Sequence, residues 1–341
     1  MSKWFKFLLP LLTISAISYA KISWLASFTS DLTYDQNIFY LSPSDLEKYR
    51  QRTEPLKFPY HSADDLTLML DVELTARFSK LTILKTSFRI HNYASNQEKS
   101  YGLFRLRMEQ QVGERSRIAG YYSWLPNYLI RYYRAGNSQQ YSPCRFGEQI
   151  AGVNYRLQLG TFAIGPGYQI EFYNYIAPFE YYDTRAHRFN GNLNWQPKNN
   201  LKLQAEYYFK IAQAKGPLPD ISYSEHNISL ELATRPRRFT RFGINTGYQY
   251  SYRYYTTPNS PSADPYHASR VDQIQNISIT ADYLFNSFTV YFQYEFEWRE
   301  VDSPYREQIE EIKNYRTNRV GAGVKLPLKM QARNFRHTGG G

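Results

Sequence analysis

Between Leu66 and Phe78 the chain alternates without a break. Leu66, Leu68, Leu70, Val72, Leu74, Ala76 and Phe78 stand on one side, and Thr67, Met69, Asp71, Glu73, Thr75 and Arg77 on the other. A period of two sends successive side chains to opposite faces of an extended strand, whereas a helix of the same residues would scatter both sets around its circumference. The run is about 13 residues long, against the five or six of an ordinary globular strand, and a tilted strand crosses a bilayer with ~9 to 11. Composition agrees with an all-β chain: 33 of 341 residues are Tyr, while Met numbers 4 and Cys 1, so aromatic bulk replaces the filling of a helical core. Mean hydropathy is -0.60. Beyond the N-terminus no apolar run approaches the roughly 18 residues of a membrane helix, which excludes helical spans.

The pattern recurs along the chain. Alternation places strands near 24–34, 66–78, 81–93, 101–111, 115–124, 147–159, 162–174, 186–196, 200–211, 224–234, 240–254, 272–284, 288–300 and 316–328, about 14 by this rule. The connections between them are long at 35–65, short at 79–80, longer at 94–100, short at 112–114, and long at 125–146 before the turn Gly160-Thr161. Further on, 175–185, 212–223, 255–271 and 301–315 are the longer ones, and 197–199, 235–239 and 285–287 the short ones. Long and short alternate throughout. Short turns at one rim and long loops at the other define a transmembrane antiparallel up-and-down β-barrel.

That topology fixes a direction for each strand, so the tryptophans test it. Trp24 opens an upward strand and Trp195 ends a downward one, both at the periplasmic rim, while Trp124 and Trp298 end upward strands at the outer rim. Trp124, Trp195 and Trp298 share the parity of their strand's apolar face, as suits an apolar ring with a polar N–H at headgroup depth.

Over nearly the whole chain after residue 20, the sequence resembles the Gram-negative outer-membrane β-barrel proteins. Its last strand, Arg319-Val320-Gly321-Ala322-Gly323-Val324-Lys325-Leu326, resembles the polar-x-Gly-x-x-hydrophobic-x-hydrophobic signal read by the barrel-assembly machinery, carried here by Arg319, Gly321, Val324 and Leu326. Pro327 interrupts that pattern, and residues 331–341 read as a tail. The strand count is similar to that of monomeric porins and, less well, of long-chain fatty-acid transporters, whose N-terminal plug has no counterpart here. The resemblance implies an outer-membrane location, with membrane lipid, lipopolysaccharide and the assembly machinery as partners.

The N-terminus reads as an export signal. Lys3 and Lys6 precede the apolar run Phe7 to Ile17, and Ser18-Tyr19-Ala20 supplies small residues at a cleavage site. Residues 1–20 are therefore expected to be removed, leaving 21–330 as the barrel. Cys144, in the expected 125–146 loop, cannot form an intramolecular disulfide.

Parity also sorts the lumen. Lys85, Arg89, Arg105, Arg107 and Arg117 fall on the inward face of neighbouring strands, opposed mainly by Asp71, Glu73 and Glu109. Such an arc either raises the local concentration of anions in a pore or forms a salt-bridge lattice that stiffens the wall. The net charge of +11 does not by itself indicate nucleic acid, because no Lys/Arg block exceeds the Arg235 to Arg241 turn. No catalytic role is expected: the six histidines are scattered without His-Glu-x-x-His, and Gly-x-Ser-x-Gly is missing. Ser224, Glu225 and His226 are adjacent, and adjacent strand residues face opposite ways. No metal or cofactor is expected. Two functions follow: a porin or channel for small hydrophilic solutes, anions among them, or a structural or assembly/export barrel for surface polysaccharide or protein without open-pore conduction.

Overall fold

The computed structural model describes residues 22–134, 140–236, 239–305, 309 and 313–330; the expected export signal and the 331–341 tail lie outside them. Fourteen antiparallel strands close into one barrel. They are β1 (Ser23–Asp35), β2 (Asp65–Arg77), β3 (Thr82–Tyr93), β4 (Tyr101–Gln111), β5 (Ser116–Arg134), β6 (Tyr141–Leu159) and β7 (Phe162–Tyr175). The second half comprises β8 (Thr184–Lys198), β9 (Leu201–Ala214), β10 (Tyr223–Thr234), β11 (Phe242–Tyr255), β12 (Val271–Leu284), β13 (Thr289–Asp302) and β14 (Tyr315–Met330). Each strand pairs with its chain neighbours, and the ring closes where β14 meets β1, from Trp24↔Met330 to Asp35↔Arg319. Closure leaves no unpaired strand edge, which hydrocarbon would not tolerate. No helix among the described residues is long and apolar enough to span a membrane.

The outward face is apolar and exposed, as at Leu68, Val72, Phe88, Leu106, Ile118, Val153, Leu193, Ile228, Ile277 and Phe292. Trp24 and Trp124 stand exposed on it, Trp195 stacks on Phe162 with centroids 5.7 Å apart, and Trp298 stacks on Phe296 at 5.1 Å. Nearer the long-loop rim the same face carries a belt of cross-strand bonds from tyrosine hydroxyls. Tyr122 meets Gln149 (3.3 Å), Tyr168 His187 (2.7 Å), Tyr207 His226 (2.8 Å), Tyr248 Gln275 (2.9 Å) and Tyr294 Asn318 (2.7 Å). An aromatic body with a satisfied polar tip suits the headgroup layer.

Two expectations need correction. Residues 125–134 and 141–146 are strand where a loop was expected: β5 and β6 run on past the belt as a long antiparallel pair, with register shifts between Leu125 and Tyr128 and between Leu129 and Arg131. Those irregularities break the period of two, which is why alternation ends at Trp124. Cys144 accordingly lies in β6 and is 1 % exposed. Pro327 does not interrupt β14, which continues to Met330 with Pro327 opposite Ser27; next to the rim, one missing N–H costs the ladder little.

Candidate functional site: the lumen and its roof

Five sequence-assigned cations come together on one lumenal arc. Lys85 lies opposite Arg107 across the β3–β4 ladder, and Arg105 sits between Ser87 and Ser123 of the flanking strands. Glu109 gathers three of them, with Arg107 Nε at 2.8 Å, Lys85 Nζ at 3.7 Å and Arg117 Nη1 at 4.0 Å. Arg89 donates from both Nε (3.0 Å) and Nη2 (2.6 Å) to a single oxygen of Asp71. Arg105 is exposed to the lumen and, among the described residues, makes no ion pair. Five cations face Asp71, Glu73 and Glu109, so the arc keeps an excess of two positive charges. It runs from the short-turn end of the lumen, where Lys85, Arg107 and Arg117 lie, to mid-height at Arg89 and Arg105. Halfway round the ring, β11 offers uncharged Asn245, Gly247 and Gln249 on its inward face. Low-dielectric walls strengthen the field such an arc projects into the water between.

Toward the long-loop rim the lumen changes character. Asp272 is fully buried and accepts from Arg270 Nε (2.7 Å) and Nη2 (2.8 Å) and from Arg299 Nη2 (2.7 Å). Glu225 pairs with Arg253 at 2.6 Å, and Glu171 with Lys210 at 2.7 Å. Arg319 binds Asp35 (2.7 Å), Glu295 (2.6 Å) and Glu297 (3.2 Å), and its Nη2 donates to the Tyr40 hydroxyl at 2.7 Å. Near the long-loop rim the charges thus form a paired lattice, while on the arc five cations face three carboxylates, with Lys85, Arg107 and Arg117 gathered on Glu109 and Arg89 on Asp71. Ser224 and His226 lie on the outward face and Glu225 on the inward one.

The long loops meet over the lumen, which alternation could not reveal. Segment 35–65 carries helix α1 (Pro43–Gln51), capped by Ser42 Oγ accepting from Asp45 N at 3.1 Å and stopped by Arg52 at φ 54°. Ile38, Phe39, Leu41, Phe58, Tyr60 and Ala63 of this segment bury against Leu129 of β5. The Tyr40 hydroxyl touches β14 through Arg319, and its carbonyl accepts from Arg131 Nη2 of β5 at 2.9 Å. Those two strands are five places apart in the ring, so residue 40 spans a chord of the mouth. Lys313, just before β14, lies 5.3 Å from the Tyr133 ring of β5 and 5.9 Å from the Tyr266 ring of the β11–β12 loop. On the far side Asp220 N donates to Asp264 at 2.9 Å, joining the β9–β10 and β11–β12 loops. Lys99, in the β3–β4 loop, is buried beneath the roof, donating to Leu129 O at 2.9 Å with the Phe39 ring 5.0 Å away. Burial, reinforced by nearby Arg131, pulls its ammonium down to about 7.

The sequence-matched assembly residues sit in β14. Arg319 faces inward as the hub just described, while Val324 and Leu326 belong to the outward face. A side chain at Gly321 would press on Thr33 Oγ1 at 2.6 Å and Gln293 Nε2 at 2.8 Å.

The closed 14-stranded antiparallel barrel, with its apolar outer belt and polar interior, is the architecture of outer-membrane porin-like proteins. Among solved structures the chain is similar to the outer membrane channel DcaP of Acinetobacter baumannii, at 8% identity and TM-score 0.50 over 90% of this chain and 97% of that one. It is also similar to a bacterial polysaccharide outer membrane secretin (8% identity, TM-score 0.48, 89% and 99% covered). A third is the anion-selective porin from Comamonas acidovorans (7% identity, TM-score 0.45, 90% and 99% covered). No family model matches the chain, and no curated protein matches it. Identities this low speak to the fold alone.

Proposed function

We propose that the protein is an outer-membrane channel for small hydrophilic anions, with a mouth narrowed by its own loops. The observation that carries this reading is the inner arc, where Lys85, Arg89, Arg105, Arg107 and Arg117 outnumber their carboxylates and Arg105 stands unpaired among the described residues. A fixed positive wall concentrates anions beside it and lowers their barrier to passage. The reading assigns no catalytic residue, metal or cofactor. The roof favours a second reading, a structural or assembly/export barrel that does not conduct, because its segments touch across the mouth.

Planar-bilayer recording separates the two. The channel reading expects anion preference in the native protein and a shift toward cations in Arg105→Glu, larger at low salt because the Debye length is ~8 Å at 0.15 M and longer below it. A folded Arg105→Glu protein with unchanged selectivity refutes the role of the arc. Folded native protein without conductance moves the assignment to the structural or assembly barrel.

A further inference from the structure

The outer side of the roof carries a feature that permeation does not use. Between the C-terminal half of α1 and the turn and irregular return 54–61 lies a cavity of about 410 Å³, lined by Lys48, Arg50, Arg52 and His61 together with Tyr49, Phe58 and Tyr60. Its size is that of a small-ligand pocket. The one carboxylate in its wall, Glu54, is already engaged by Lys48 at 3.1 Å and Lys57 at 3.8 Å. Arg50 and Arg52 are exposed, and neither has a carboxylate within ion-pair distance among the described residues. Lys48, Arg50 and Arg52 against Glu54 leave an excess of two positive charges.

The aromatic side is rigid. Phe58 and Tyr60 are each 6 % exposed and belong to the cluster that holds the roof down. Tyr60 stacks on Phe39 at 3.6 Å, and Tyr49 meets Phe58 edge-on at 84° and 6.5 Å. The Tyr49 hydroxyl donates to the His61 carbonyl at 3.2 Å, tying the two walls together. Guanidinium groups recognise carboxylate and phosphate with paired donors, and a firm aromatic edge supplies apolar contact for the C–H face of a ring.

We propose that this pocket binds an acidic sugar, a saccharide ring bearing a phosphate or carboxylate. Such a group reaches the outer surface either within lipopolysaccharide or as a free solute, and the recognition chemistry is the same for both. The inference is independent of conduction: a non-conducting barrel would keep the pocket.

The test is binding to the full-length protein in detergent, measured by titration calorimetry with glucose 6-phosphate, glucuronate, glucose and inorganic phosphate. Both acidic sugars are expected to bind at least about tenfold more tightly than glucose or phosphate alone, and to weaken as salt rises from 0.05 to 0.5 M. Arg50→Ala combined with Arg52→Gly, which suits the positive φ of residue 52, is expected to reduce that affinity about tenfold or more. Competition by purified lipopolysaccharide assigns the source to the membrane, and binding without such competition assigns a free solute. Acidic sugars that bind no better than glucose, salt-independent binding by the native protein, or unchanged affinity in the folded double variant would each overturn the proposal.

Discussion

Phe39→Ala probes what holds the roof down. Phe39 is fully buried, stacked on Tyr60 at 3.6 Å with the Lys99 ammonium 5.0 Å away. Truncating a buried Phe costs about 3–5 kcal/mol in transfer and cavity terms. Here the cost falls on closure of segment 35–65 and leaves the barrel ladder alone, because the cluster around Phe39 joins that segment to the barrel wall through the side chains of Leu129, Tyr93 and Tyr132. Each 1.4 kcal/mol is a factor of ten, so the closed-to-open ratio should fall between about 150-fold and 5000-fold. Local openings cost anything from zero up to the global stability; for a closure worth about 4 kcal/mol, the open form rises from roughly one molecule in a thousand to at least one in six. Trypsin has sites at Lys48, Arg50, Arg52 and Lys57. Limited proteolysis of protein whose heat-modifiable migration shows a closed barrel should cut this segment at least about a hundredfold faster in the variant. An unchanged cutting rate in folded Phe39→Ala protein would refute the argument that this cluster pins the roof.

Val72→Arg, on the outward face near the middle of β2, should cost about 2–4 kcal/mol in refolding into lipid vesicles, while Glu73→Arg, exposed on the lumenal face, should cost under about 1 kcal/mol; equal costs contradict the lipid-facing assignment. Cys144, being 1 % exposed, should resist an impermeant maleimide in native protein and react fully once denatured, and rapid labelling of the native form would contradict the inward packing of the β5–β6 hairpin. Lys99 gives a pH dependence with a definite sign. Its closed-state value of about 7 lies below the 10.5 of a free lysine, so the open segment binds the extra proton between those limits, and closure should strengthen as pH rises from about 7 toward 10, by at most about tenfold per unit. Proteolysis at fixed protease activity should slow over that range and lose its pH dependence in Lys99→Met; a native rate that climbs with pH contradicts the shift.

Strand content and direction were legible because a strand that faces lipid on one side and water on the other must alternate, and Leu66 to Phe78 does so for its whole length. The same parity found the basic arc, since Lys85, Arg105 and Arg107 need only face inward on adjacent strands to be neighbours. It could not say which cations are neutralised: Arg253 is matched by Glu225 and Arg299 by Asp272, and those partners depend on register across strands. The roof was invisible for a deeper reason. Phe39, Tyr60 and Leu129 are brought together by a turn of the chain and a bulged hairpin, neither of which has a period. A cue was present in the apolar residues Ile38, Phe39 and Leu41 within a segment read only as a long connection, for apolar side chains outside any strand need a surface to cover them.

The seam between β1 and β14 joins twelve residue pairs, and its first pair, Trp24↔Met330, links positions 306 apart in the chain. Every other junction is between neighbours in sequence, so thirteen hairpin-like steps can be completed as each strand arrives and one cannot. The ring is a necklace whose clasp is made last. Until Met330 is in place, β1 holds an unsatisfied row of N–H and C=O groups that lipid will not solvate, and the loop to be closed is nearly the whole chain, the kind of contact that forms slowest. Removing β14 should therefore not yield a thirteen-strand version of this protein but an open sheet with two raw edges, retained outside the membrane and prone to pair with another chain.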